Sequence, residues 1–347
     1  MKPVHQCGEW ELVRRFLYRV LIGLALAASQ GGIAAAQQTV PGCSGRSILD
    51  ELKGTDAYAR IEAAAAQSEN STTLLWKIER AGRPVSYLFG TMHLTDARIT
   101  TLSPALRSAL GSSRRLILEV DDLSQGNFKK AFASARDLML FSGGQRLEQL
   151  LSAEEFRKVS AILERSGLPA QIAGLFRPWV ATLMLALPDC EKQRVGQGLL
   201  PLDAQLAREA RAQGIGVIGL ETLDLQFRTM AGVPQADQIE MLKASLRLHD
   251  RIDDVIETTV QLYLGRRLGA IWPLQLALAE RVGVPGSAFN SSEQSLLVRR
   301  NLGMRDNAAA HLAEGGVFIA VGALHLPGKQ GLVNLLRDAG YTLTPVE

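Results

Sequence analysis

One short pattern occurs twice in this chain and limits what it can fold into. "SYLFGTMHL" (86–94) and "VFIAVGALHL" (317–326) each run as an apolar stretch into a glycine, then two residues, a histidine and a leucine. Gly90 matches Gly322, and His93 matches His325. Apolar runs of this length read as buried strands. Each leads into a helix and then another strand, so the chain reads as two related halves. With only five histidines in 347 residues, two at the ends of apolar strands point to a shared purpose. Glycine at such a point lets the chain leave the strand with a positive φ or approach a ligand closely.

Two acids share this address. "RRLILEV" (114–120) carries Glu119 near its end, and "IGVIGLE" (215–221) ends on Glu221. If these strands run parallel in one sheet, His93, Glu119, Glu221 and His325 all emerge at its carboxyl edge, where open α/β sheets form their sites. Two imidazoles with one or two carboxylates are a ligand set for Zn²⁺, Mn²⁺, Co²⁺ or Fe²⁺. They are equally a set for acid–base catalysis without metal.

The remaining segments frame an α/β fold with a mixed, mainly parallel central sheet. "TTLLWKIE" (72–79) and "SYLFGTM" (86–92) flank "RAGRP", a hairpin signal. From about 125 to 280 the pattern is mostly helical, interrupted by the strand at 215–221, and reads as a large helical insertion covering the sheet. "SAEE" (152–155) has capping-box spacing. A helix around 291–315, the second motif strand, a helix at about 329–339 and a last strand "YTLTPV" complete the order. No linker forces a second domain, so 37–347 reads as one.

The N-terminus reads as an address. "RRFLYR" is basic, "VLIGLALAA" is an apolar core of signal-peptide length, and "GIAAAQQ" offers cleavage after Ala36. Residues 1–36 are therefore expected to be a signal peptide, with a destination outside the cytoplasm: periplasmic or secreted. No other stretch is long and apolar enough for a permanent membrane span. Without residues 1–36, Lys+Arg falls from 38 to 34 and Asp+Glu from 35 to 33, a net of +1. Such a neutral body gives no electrostatic reason to expect nucleic acid. The exported part keeps two cysteines, Cys43 and Cys190, and an even count in an oxidising compartment predicts one disulfide.

The motifs carry a resemblance. "SYLFGTMHL", "LILEVDD", "GLETLDLQ", "RRNLGMRDN" and "VFIAVGALHLPGKQGLVNLLRDAGYTL" resemble the TraB/GumN (TraB/PrgY/GumN) family, which includes the Tiki metalloproteases and is related to the erythromycin esterases. The resemblance implies a metal-dependent hydrolase acting on peptides or another small substrate, with a divalent metal (Mn, Co or Zn). It implies His93 and His325 as the motif histidines and metal ligands, Glu119 as their acidic partner, and Arg300 with Asn301 as a functional pair. In that reading Glu119 or Glu221 is ligand or general base, and Arg300 stabilises an oxyanion or binds a substrate carboxylate. Two other readings stay open: an esterase-like hydrolase with a histidine base and no metal, and a non-enzymatic peptide- or haem-binding protein.

Other residues carry less. His249, with Asp253 one turn on, reads as a solvated charged face, and His311 as a helix-end histidine suited to the dipole. Asp121 and Asp122 either assist the site or solvate a loop. "GKQG" (328–331) lacks P-loop spacing.

Overall fold

The computed structural model describes residues 42–122 and 125–347; the expected signal peptide and its cleavage point lie outside them. Six strands, β1 Leu75–Glu79, β2 Ser86–Thr91, β3 Arg115–Leu118, β4 Gly216–Gly219, β5 Val317–Gly322 and β6 Thr342–Pro345, form one sheet in the order β4-β3-β5-β2-β1-β6. β4, β3, β5 and β2 run parallel, while β1 is antiparallel to both β2 and β6. The fold is thus mixed, mostly parallel α/β. The "RAGRP" segment joins an antiparallel hairpin, with Leu75 opposite Phe89.

β5 lies in the middle because its sequence suits no other place. Val317, Phe318, Ile319, Ala320 and Val321 are all buried, so both faces of the strand are covered. Phe318 and Ala320 pack with Leu75, Phe89 and Leu116 against helices on one face. Val317, Ile319 and Val321 pack with Trp76, Leu88, Met304 and Leu336 on the other. The second motif strand stops at Gly322, shorter than expected, and continues as a 3₁₀ turn, Ala323–His325.

The helical stretch only partly covers the sheet. Phe132, Phe176, Val180, Leu163 and Leu242 build an apolar cluster of their own, whereas helix Leu268–Arg281 packs into the cluster on the sheet's face. Ser152 and Glu155 form the expected capping box at the start of helix Ala153–Arg165, each side chain bonding the other's backbone N–H. No helix among the described residues is long and apolar enough to cross a membrane.

Cys43 and Cys190 are bonded, with Cα atoms 5.4 Å apart and 147 positions between them in sequence. Beside the bridge, the Arg46 N–H donates to Asp254 Oδ1 at 2.8 Å and the Ile48 N–H to Thr258 Oγ1 at 2.8 Å, which pins the N-terminal segment. Closing a long loop restricts the unfolded chain, so reduction should cost about 2–4 kcal/mol. A lowered denaturant midpoint with reductant, and no free thiol in unfolded unreduced protein lacking the leader, would check this. A midpoint insensitive to reductant contradicts it.

Candidate active site

Strand order decides which of the predicted residues meet. From β4 to β2, the carboxyl ends deliver Glu221, Glu119, His325 and His93 in turn. Neighbouring strands are about 4.8 Å apart, so the strands bearing Glu221 and His93 are separated by about 14 Å. Glu119 and His325 come from adjacent strands. All four reach the same edge, but three converge: Glu119 Oε1 lies 3.8 Å from His93 Nε2 and 3.8 Å from His325 Nε2.

Each imidazole is held from behind. Asn301, on helix Arg299–Glu314, donates its Nδ2 to the Gln330 carbonyl at 2.8 Å, which turns its Oδ1 toward His325. His325 Nδ1 lies 2.6 Å from that oxygen, so it carries the proton and leaves Nε2 as a bare lone pair. Burial pushes His325 down to about 4, keeping it neutral at ordinary pH despite Glu119. His93 Nδ1 lies 2.6 Å from Asp203 Oδ2, and Asp203 Oδ1 accepts from the Thr91 hydroxyl at 2.7 Å. Asp203 foremost, then Glu119, pushes His93 up to about 9, against the opposing effect of burial. The His93 side chain is nevertheless 55% exposed and forms the open side of the centre.

Asp203 was not among the residues singled out in the sequence. It lies in the first turn of helix Leu202–Ala212, where an acid is explained by the helix dipole alone. Nothing local connects it to a histidine 110 positions away.

The two motif glycines serve close approach, and neither has a positive φ. A Cβ on Gly90 would come within 3.0 Å of Ala323 Cα, because the turn after β5 packs onto it. A Cβ on Gly322 would sit 3.2 Å from Glu119 Oε1 and 3.6 Å from His93 Nε2, in the centre itself. Gly322 also donates its N–H to Glu119 Oε1 at 2.7 Å. The sequence repeat is offset in space: Gly322 is opposite Thr91, and Gly90 opposite Val321.

Arg300 and Glu221 pair with each other. Arg300 Nη2 donates to Glu119 Oε2 at 2.5 Å and Glu221 Oε2 at 2.6 Å, and its Nε donates to Glu221 Oε1 at 3.0 Å. Gln226 Nε2 donates to the same two carboxylates at 3.3 and 3.2 Å. Glu221 therefore joins the cluster through Arg300, and among the described residues no imidazole forms an ion pair with it. Arg300 is a clamp between carboxylates, with little donor capacity left for an oxyanion. Burial alone would raise the Glu119 carboxyl, but His325, His93, Arg300 and the Gly322 N–H hold it at about 2. Both imidazoles are charged by the pH at which Glu119 takes a proton.

Two imidazoles and a carboxylate are donor types that divalent cations take, but among the described residues they are not closed to a metal site. The Nε2 atoms of both histidines and Oε1 of Glu119 face one another beside Gly322. Asp203, Glu119 and Glu221 against Arg300 and the charged His93 leave three negative charges and two positive, a formal −1. Tetrahedral ligands at ~2.1 Å from a metal lie about 3.4 Å from one another. The 3.8 Å separations are a few tenths wider, and among the described residues no three His, Cys, Asp or Glu side chains are already closed to ligand geometry.

The other candidates stand apart. His249 is buried, not solvated, and among the described residues its Nδ1 has no hydrogen-bond partner. His311 lies in the last turn of its helix, its Nδ1 2.8 Å from Arg115 Nη1. Asp121 and Asp122 lie in the loop after β3, where Arg211 donates to the Asp121 carbonyl.

A family model described as TraB/PrgY/gumN family matches residues 74–345, a span that includes every residue of this centre. The chain belongs to the TraB/PrgY/gumN family. Among the relatives of this TraB-type chain is "Uncharacterized protein YbaP" of Shigella flexneri, 24% identical over 79% of this chain and 96% of its own length. The YbaP of Escherichia coli (strain K12) is 23% identical over the same shares. "Metalloprotease TIKI2" of Danio rerio is 24% identical over 79% of this chain and 61% of its own length. No solved structure matches.

Proposed function

We propose that this TraB-family protein is an exported, metal-dependent hydrolase that cleaves amide bonds in peptides. The observation that carries this reading is the pair of tethered imidazoles whose Nε2 atoms face the same Glu119 oxygen. The likeness to a protein named as a metalloprotease supports it.

In this reading His93 Nε2, His325 Nε2 and Glu119 would hold the metal. A divalent cation there would supply Lewis-acid polarisation of a carbonyl and make a water more acidic. The chain's own residues do the rest. Asn301 and Asp203 fix the two rings so that each presents Nε2 to the centre. Arg300 and Gln226 hold Oε2 of Glu119, which aims Oε1 between the histidines. The exposed side of His93 leaves a path for substrate. Metal analysis of purified protein, followed by a peptide-library cleavage assay with and without chelator, tests the reading. Full cleavage by metal-free protein would reject the metal requirement.

One observation favours the metal-free alternative. His93 is half-exposed and its Nδ1 is backed by the Asp203 carboxylate, which is the arrangement of an oriented general base. Retention of activity after chelation, with loss in His93→Ala, would select it.

Asp203→Asn should lower metal affinity or activity about 10–100-fold, the usual effect of losing an orienting carboxylate behind a ligand histidine. Equilibrium dialysis against Zn²⁺, with a melting curve to confirm folding, checks this. Unchanged affinity would assign Asp203 a purely structural role. Export makes a separate claim: N-terminal sequencing of protein recovered outside the cytoplasm should begin at Gln37, and a chain retaining "VLIGLALAA" would mean an anchored protein.

A further inference from the structure

Two hollows are lined by near neighbours in sequence from the same two helical segments. The first is a cavity of about 170 Å³ lined by Trp179, Leu183, Met230, Met241 and Leu296, among others. Its polar lining groups are engaged elsewhere. Gln238 donates to the Val233 carbonyl at 2.7 Å and accepts from the Trp179 N–H at 3.3 Å, and the Thr182 hydroxyl donates to the Pro178 carbonyl at 3.1 Å. A water there would find few partners, whereas a roughly 150 Å³ apolar cavity accepts a benzene ring.

The second is a cleft of about 480 Å³ bordered by Glu221, Leu225, Arg228, Ser295, Arg299 and Arg300. Two elements contribute residues to both. Helix Leu223–Ala231 gives Met230 to the cavity and Arg228 to the cleft. The π-helical turn Gln294–Val298 gives Leu296 to the cavity and Ser295 to the cleft, and the Leu296 carbonyl accepts from Arg300 Nη1 at 3.4 Å. Of the three cleft arginines, Arg228 pairs with Asp224 and Arg300 with Glu119 and Glu221. Arg299 is exposed, bonds the Ser295 hydroxyl, and among the described residues makes no ion pair. It follows Leu296 by three residues, about 4.5 Å along the helix axis.

We propose that the cavity and cleft form a recognition subsite for substrates in which an apolar side chain, up to one aromatic ring in size, lies beside a carboxylate. The side chain enters the cavity and the carboxylate pairs with Arg299. This rests on the hydrolase reading for its purpose, since Arg300 joins the cleft to Glu119, but its test is binding alone.

The test is calorimetric titration of the exported chain with N-acetyl-L-phenylalanine, N-acetyl-L-alanine and N-acetyl-L-phenylalaninamide. The phenylalanine acid should bind, and the other two at least tenfold more weakly. Ala186→Trp, which fills the cavity from an exposed lining position, and Arg299→Glu should each weaken the acid at least tenfold while the far-ultraviolet circular dichroism stays that of wild type. His93→Ala should bind it as wild type does. Absence of binding, or binding indifferent to both substitutions, overturns the proposal, and so does an amide that binds as tightly as the acid. A protein that shows this pattern yet hydrolyses nothing keeps the subsite and loses the hydrolase reading. An active enzyme that fails the binding test does the reverse.

Discussion

Replacing either His93 or His325 with alanine should lower hydrolysis by at least about 10³-fold, and replacing both should lower it little further. Two side chains that serve one centre act as a unit, so their losses do not add. Both variants should also lose the thermal stabilisation that wild type gains from added Zn²⁺ or Mn²⁺. Their apoprotein stabilities should differ. His93 is half-exposed, so His93→Ala should melt near wild type. His325 is buried and bonds Asn301, so His325→Ala leaves a buried amide oxygen without its partner and should cost about 1–3 kcal/mol. His249→Ala, in a helix away from this centre, should keep its activity. Paired melting curves and initial rates for wild type, the two single variants, the double variant and His249→Ala decide the matter. Losses that multiply, or a His93→Ala protein that keeps its metal and its rate, would sink the shared centre.

The largest effect on stability should come from Arg300→Met. Its guanidinium lies between Glu119 and Glu221, whose side chains are only 10% and 3% exposed. Removing one partner of a buried ion cluster leaves charge with no compensation, at a cost of about 3–5 kcal/mol. Arg300→Lys should recover little, because a single ammonium cannot reproduce the fork that reaches Glu221 through Nε and both acids through Nη2. Glu221→Gln on the Arg300→Met background should restore part of the loss by removing one unpaired charge. Chemical denaturation of the four proteins measures the coupling. If Arg300→Met unfolds at the wild-type midpoint, the clamp is not structural. Equal destabilisation with and without Glu221→Gln would show that Glu221 carries none of it.

What the sequence by itself determined were features set over short spans. The apolar runs around Gly90 and Gly322 read as strands because burial on both faces requires continuous apolar residues, and the structure places them as parallel neighbours. The capping box at Ser152 was legible because Ser and Glu at that spacing answer each other's backbone. The Cys43–Cys190 bond followed from an even count. The motif residues were legible as a group because each closes a strand, and strand ends share one edge.

Only the tertiary structure decided which of them touch. With β5 between β3 and β2, His325 and Glu119 become neighbours, and Glu221 is left at the far end of the row. Asp203 meets His93 across 110 positions, and Arg300 meets Glu119 across 181. No local pattern marks such pairs, because an acid in a first helical turn is already accounted for by its own helix. The physical reason is that strand order and side-chain convergence come from how whole layers pack, whereas propensity, capping and strand termination act within a few residues of themselves.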